Sequence, residues 1–333
     1  MRVSDGPGAR RRFVARSLIV LWIGSLTLTM QLWIGRSTIY AADRLRKIEA
    51  VHDMILTNTP PANGWGALGL NGVNVRVGAV YVAEAMHRVL RISITRSYLL
   101  LDTVALFGAL CLLLGYLRRF QPEPYALLGV AFVGTMLPLT YQLFYFHPWD
   151  RLSLLLWILL LGLLHRGRVL LAAALLPLAV AVKYDIMLLP AVYGIHSVLR
   201  DRRISAVALS QSGAMLALGY GTYFVLNLLL PGGSAPAPIL SQLSINIHDL
   251  GALHLAYPPL LGFVIPIATA AIGFRRCDAW SQAGVLLGAA LFVPLALRSN
   301  LAEFRAQMAI MVLLAPASLA GVRYLTSDGT KSE

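Results

Sequence analysis

Residues 141–193 read YQLFYFHPWDRLSLLLWILLLGLLHRGRVLLAAALLPLAVAVKYDIMLLPAVY. Three apolar runs lie here back to back, at 152–164, 169–182 and 186–199. Each is 13 or 14 residues long, below the roughly 20 that an upright transmembrane helix needs. Tight polar joints separate them: His147-Pro148-Trp149-Asp150-Arg151, His165-Arg166-Gly167-Arg168 and Lys183-Tyr184-Asp185. A helix this short cannot lift both ends clear of a bilayer, so some joints are expected at or below the interface. Charges held there are costly and are kept for a function. An active site, if the chain has one, is expected to include these joints.

The rest of the chain has the same character. Of 333 residues, 58% are hydrophobic and 13% charged, and the mean hydropathy is +0.70. That composition implies an all-α, polytopic membrane protein. The net charge of +13 does not point to nucleic acid. The basic residues sit in short loops between apolar spans and form no face interleaved with aromatics for bases to stack on. Attraction to membrane lipids of negative charge follows from the same distribution. Cys111 and Cys277 make neither a disulfide framework nor a metal-binding Cys-x-x-Cys pattern.

Ten spans are expected in one transmembrane domain covering 1–333. The first is 17–34, preceded by Arg10-Arg11-Arg12 and read as an uncleaved signal anchor. An extracytoplasmic loop at 36–96 carries two helical pieces, 41–56 and 77–92. In the second, Val77, Val80, Tyr81, Glu84, His87, Arg88 and Arg91 interleave apolar and charged positions, as in a helix lying on a membrane. Spans two to ten fill 98–324. Pro138 is expected to kink the third, 125–146, and the Gly-, Pro- and Ser-rich stretch 231–258 is read as a loop. A cytoplasmic tail follows at 325–333. With the N-terminus inside, sixteen basic residues fall in the cytoplasm and four outside, apart from the long loop. This is the arrangement the positive-inside rule requires, and it places the chain in a bacterial inner or plasma membrane with both termini cytoplasmic.

This topology gathers mixed-sign charges on the outer side: Asp43, Asp53, Arg76, Asp150, Arg151, Lys183, Asp185, Glu303 and Arg305 among them. Anchoring explains basic loops inside but not acids and bases together at the opposite helix ends. Each residue has a plainer reading. Asp150-Arg151 could cap a helix as a surface ion pair, Lys183 could snorkel to the interface, Glu303 and Arg305 could cap the last span, and Asp43 could be a solvated acid. Lys183 and Asp185 are the hardest to dismiss, because both interrupt an apolar run. The functional reading gives Lys183 a phosphate to hold, as a point charge with three donors. His147, His248 and His254 have no spacing that specifies a metal site.

The arrangement resembles the GT-C superfamily of integral membrane glycosyltransferases. The resemblance rests on a first helix followed by a long outer loop with Asp43 or Asp53, and on Phe146-His147-Pro148-Trp149-Asp150-Arg151. It also rests on Ala181-Val182-Lys183-Tyr184-Asp185 and on Asn300-Leu301-Ala302-Glu303-Phe304-Arg305 opening the last span. It implies transfer of a sugar from a polyprenyl-phosphate donor to an extracytoplasmic glycan, lipid or polysaccharide acceptor. It further implies Asp43 as general base with Asp53 in reserve. Arg151, Lys183 and Arg305 would hold the phosphate with Arg76 assisting, Asp150 and Glu303 would orient cations or sugar hydroxyls, and Asp185 would join the substrate-binding set. No organic cofactor is expected, and a divalent cation is possible. A lipid-linked donor needs no nucleotide fold, in keeping with the lack of a Gly-rich phosphate loop. The alternative is a transporter, flippase or polymerase-type component of cell-envelope glycan assembly. A third reading is a non-catalytic assembly subunit.

Overall fold

Pro7–Arg36 forms helix α1, and its pairing with α5 (Glu123–Met136) sets the frame of the bundle. Arg16 pairs with Glu123 at 2.5 Å, and the Thr27 hydroxyl donates to the Gly134 carbonyl at 2.8 Å. Both contacts span 107 residues, so the two helices run parallel without a slip in register. This is a computed structural model, and it describes residues 7–36, 49–57, 59, 76–138, 149–230, 239–251, 258–298 and 304–327.

Among those residues the chain is all helix, with no strand. A short helix α2 (49–56) and α3 (Val77–Leu90) precede α4 (Ile94–Leu117), whose first turn is capped by Ser93. After α5 come α6 (Trp149–His165), α7 (Val169–Val182), a 3-10 turn (Tyr184–Leu188), α8 (Ala191–Asp201) and α9 (Ala206–Leu229). The set closes with α10 (Ile239–Gly251), α11 (Pro258–Gly273), α12 (Ala279–Arg298) and α13 (Phe304–Ser327).

Among the described residues, four helices are long and apolar enough to cross a membrane: 13–30, 94–117, 206–229 and 307–327. The outward faces of two of them support this. On α1 and α9, Leu18, Trp22, Val207, Phe224 and Leu228 are all exposed. A helix that keeps large apolar residues on its open face is suited to lipid.

The core lies where α4 and α6 run side by side, joined by α7 and α13. Leu106, Leu110, Leu113, Leu154, Trp157, Leu161, Val180 and Val312 are buried there. Leu106, Leu110 and Leu113 recur at helical spacing and turn one stripe of α4 to the interior. A second, smaller cluster forms a roof over one end. Val51 and Ile55 of α2 and Val77 and Val80 of α3 pack on Trp149 and Val182. The loop helices therefore sit directly on the starts and ends of α6 and α7. That end is called the loop end below, and the end holding Arg119 and His165 the basic end.

Three sequence expectations change. The stretch 231–258 contains helix α10, which packs on α12. Its Ile239, Leu240, Ile245 and Ile247 are exposed. The run 186–199 is not one helix: Lys183 takes an extended conformation, a 3-10 turn follows, and α8 starts after Pro190. Pro190 has no N–H to continue a helix from Tyr184 onward. Helix α5 ends at Met136, just ahead of Pro138.

At the far side of the bundle, α11 and α13 cross at backbone contact. A Cβ on Gly273 would collide with the Ala317 carbonyl oxygen, and one on Gly321 with the Thr269 carbonyl oxygen. Thr269 and Gly273 thus face Ala317 and Gly321, small residues four apart on each helix. That is how helices approach closely when the surroundings supply no hydrophobic drive. The Thr269 and Ser318 hydroxyls, 2.6 Å apart, bridge the same crossing.

Candidate functional site

The loop end brings together residues that are far apart in the chain. Helix α6 starts at Trp149, so Asp150 and Arg151 occupy its first turn. Helix α4 runs beside it, and Asp102 lies two turns in from its start. Arg151 Nη1 donates to Asp102 Oδ2 at 2.8 Å, and each side chain is 2% exposed. The pair is enclosed, and the local reading of Asp150-Arg151 as a surface ion pair does not describe it.

Asp150 turns instead to the end of α7. Lys183 Nζ lies 3.2 Å from Asp150 Oδ1 and 3.7 Å from Asp185 Oδ2. The extended backbone at Lys183 makes this possible, because it ends α7 and swings the next residues across the helix axis. Lys183 is 13% exposed and Asp185 31%, so the group opens toward Asp185. Burial raises the Asp185 carboxyl above its ordinary range, while Lys183 and then Arg76 pull it down.

Arg76 completes the cluster from above. Its guanidinium lies over the Trp149 ring, 4.9 Å from the centroid, a cation–π arrangement. The close fit of α3 on α7 delivers it there. A Cβ on Gly78 would come within 3.0 Å of the Ala181 and Val182 backbone. A larger residue at 78 would push Arg76 away from Lys183.

The result is three cations (Arg76, Arg151, Lys183) and three acids (Asp102, Asp150, Asp185) at one end of the bundle. The deep pair, Asp102–Arg151, is a fixed floor. Lys183, Asp185 and Arg76 form the upper, more open part. Asp102 is the member that sequence reading left out of the site. Its signal was a single acid in the apolar run 98–117, and its partner lies 49 residues away.

A second polar group stands beside the first. His52 of α2 is 1% exposed, with Nδ1 2.9 Å from the Tyr98 hydroxyl and Nε2 3.1 Å from Glu84 Oε2. A carboxylate only accepts, so Nε2 carries a proton and donates to Glu84. Arg88 also donates to Glu84. Hydrogen bonds from Arg88 first, then from His52, hold the Glu84 carboxyl below its ordinary range. This group ties α2, α3 and α4 together and keeps the roof in place.

Among the remaining expected site residues, Asp53 is exposed on α2 and Arg305 stands in the first turn of α13. Asp43 and Glu303 lie outside the described residues, as do His147 and His254. The described structure therefore unites Arg76, Asp150, Arg151, Lys183 and Asp185.

The arrangement suits an anionic ligand at its upper edge. Lys183 and Arg76 are held in place by neighbours and present fixed positive charge in partly dry surroundings, where such charge acts most strongly. No protein-family model, curated protein or solved structure matches the chain.

Proposed function

We propose that this chain is a multi-pass membrane glycosyltransferase that moves a sugar from a polyprenyl-phosphate donor to an extracytoplasmic acceptor. The observation that carries the reading is the meeting of Arg76, Asp150, Arg151, Lys183 and Asp185, beneath the loop helices, at the ends of two short apolar helices. In this reading ten spans cross a bacterial inner or plasma membrane. The basic end and both termini face the cytoplasm, and the loop end faces out.

The donor's tail lies in lipid and its phosphate reaches Lys183 and Arg76. Asp185 is the most open acid of the cluster and stands beside that phosphate. The acceptor hydroxyl oxygen then forms a bond to the anomeric carbon as the bond from that carbon to the phosphate oxygen breaks. The bonding pair leaves on the phosphate, and the hydroxyl proton passes to a carboxylate. Asp43 is assigned as that base and Asp53, on the helix roofing the joint, as its reserve. Glu303 is assigned to orient sugar hydroxyls and Arg305 to assist in holding the phosphate. A divalent cation is not required by these roles.

The test is transfer of labelled sugar from a panel of polyprenyl-phosphate sugars by purified protein in lipid, for wild type, Asp43→Asn, Asp53→Asn and Lys183→Ala. Transfer by wild type that collapses in Lys183→Ala and in one acid variant is the expected result. No transfer with any donor by folded protein would reject the reading.

The buried Asp102–Arg151 pair favours one other reading, a transporter or flippase of a lipid-linked glycan. A charge pair inside a long apolar helix is what a translocation path uses. Movement of labelled lipid-linked glycan across vesicles, lost in Asp102→Asn while transfer is absent, would select it.

A further inference from the structure

The basic end holds a pocket of about 340 Å³, lined by Arg119, Gln121, Arg276, Asp278, Ser281 and Arg323 with the Tyr324 ring beside them. Its charges are unbalanced, with three guanidiniums facing one carboxylate. Asp278 is already engaged, since its Oδ1 caps α12 by accepting from the Ser281 N–H at 2.9 Å. The guanidiniums are positioned by other contacts. Arg276 donates to the Ile272 carbonyl at 2.8 Å and stacks 3.5 Å from the Tyr324 ring centroid. Arg119 donates to the Gly162 carbonyl at 3.4 Å and to His165 Nδ1 at 3.3 Å. Burial, and then the neighbouring Arg166, lower Arg119 from the ordinary guanidinium value.

Two buried polar groups in the same lining point to a ligand. Ser281 is 1% exposed and Gln121 8%. The Ser281 hydroxyl and Gln121 Oε1 have no hydrogen-bond partner among the described residues. A buried polar atom left so is costly, and a bound group or water accounts for it. One of these groups is a donor, beside the arginines. The other is an acceptor only, with its own amide N–H donating to the Pro316 carbonyl at 3.2 Å. An anion alone would satisfy the first and not the second.

We infer that this pocket binds a phosphate ester carrying a free hydroxyl, its phosphate held by Arg119, Arg276, Arg323 and the Ser281 hydroxyl and its own hydroxyl donating to Gln121. A glycerol phosphate has this chemistry, either as a soluble molecule or as the headgroup of a membrane lipid. The site is independent of the loop-end cluster and of the reaction proposed for it.

Two probes separate the sources: glycerol 3-phosphate added to protein in detergent, and phosphatidylglycerol in nanodiscs of phosphatidylcholine. Binding is measured by calorimetry for the first and by native mass spectrometry of retained lipid for the second. The variants are Arg323→Gln, Ser281→Ala and, as a control that removes one exposed basic charge elsewhere, Arg203→Gln. Saturable binding of either probe, weakened at least tenfold in Arg323→Gln and Ser281→Ala and unchanged in Arg203→Gln, supports the site and identifies its source. Absence of binding of both probes to folded wild type overturns it. Equal weakening in Arg203→Gln also overturns it, because diffuse attraction to a basic surface would then suffice.

Discussion

Removing the carboxylate charge from Asp102 should destabilise the fold more than most single substitutions. The pair it makes with Arg151 is 2.8 Å long and almost fully enclosed. At that separation, with the effective dielectric of about 20 that describes such pairs, the attraction is about 6 kcal/mol. Part is offset by desolvation of both ions, so the pair's net contribution is small. Asp102→Asn keeps the shape and removes the carboxylate charge that Arg151 meets at 2.8 Å, a loss of about 3–5 kcal/mol when a buried pair is broken. Arg151→Gln should cost a similar amount from the other side. The double variant Asp102→Asn/Arg151→Gln removes both charges and should recover much of the loss. The assay is unfolding by sodium dodecyl sulfate in mixed micelles, followed by the fluorescence of the buried Trp149 and Trp157. A double-mutant cycle then gives the coupling directly. Single costs below about 1 kcal/mol, or costs that simply add in the double variant, would refute the enclosed pair. They would show two solvated charges.

Three further outcomes are expected. Lys183→Ala should lower the proposed sugar transfer by about 10²-fold, the usual cost of removing one preorganised donor from developing charge, with unfolding in the same micelles showing whether the fold survives. Glu84 has a depressed carboxyl, so it contributes stability that is complete above the ordinary value of 4.5 and is lost as pH falls through its lowered value in the fold. The stability gap between wild type and Glu84→Gln should close on acidification, and a constant gap from pH 7 to 3 would refute the His52–Glu84–Arg88 tie. Gly321→Leu should drive α11 and α13 apart and lower stability by about 1–3 kcal/mol or more, whereas Gly213→Leu, at an open position on α9, should be tolerated.

Local pattern located most helices. The run 169–182 coincides with α7, and the amphipathic reading of 77–92 agrees with α3 at Val77–Leu90, because apolar runs and periodicity are set within a few turns. The joints at Asp150-Arg151 and Lys183-Asp185 were also visible, as charges that break apolar runs. The partners were not. Arg151 faces Asp102 rather than its neighbour Asp150, and nothing in the intervening 49 residues encodes that choice. His52 lies in the helical piece expected at 41–56, but no local pattern shows that it is buried between Tyr98 and Glu84. Helix α10 escaped notice because its flanks are rich in Gly, Pro and Ser. The crossing at Gly273 and Gly321 depends on which helices meet, and small residues four apart are common in apolar sequences.

The order of the charged partners along the chain bears on how it is made. A ribosome delivers Arg76 first, then Asp102, then Asp150 and Arg151, and last Lys183 with Asp185. Arg151 therefore finds Asp102 already synthesised, and Lys183 finds Asp150. Each later cation can enter the membrane beside an acid that preceded it, so the charge is shielded as it arrives. Were the order reversed, Lys183 would wait at the tip of a very apolar helix with its main counter-charge still inside the ribosome.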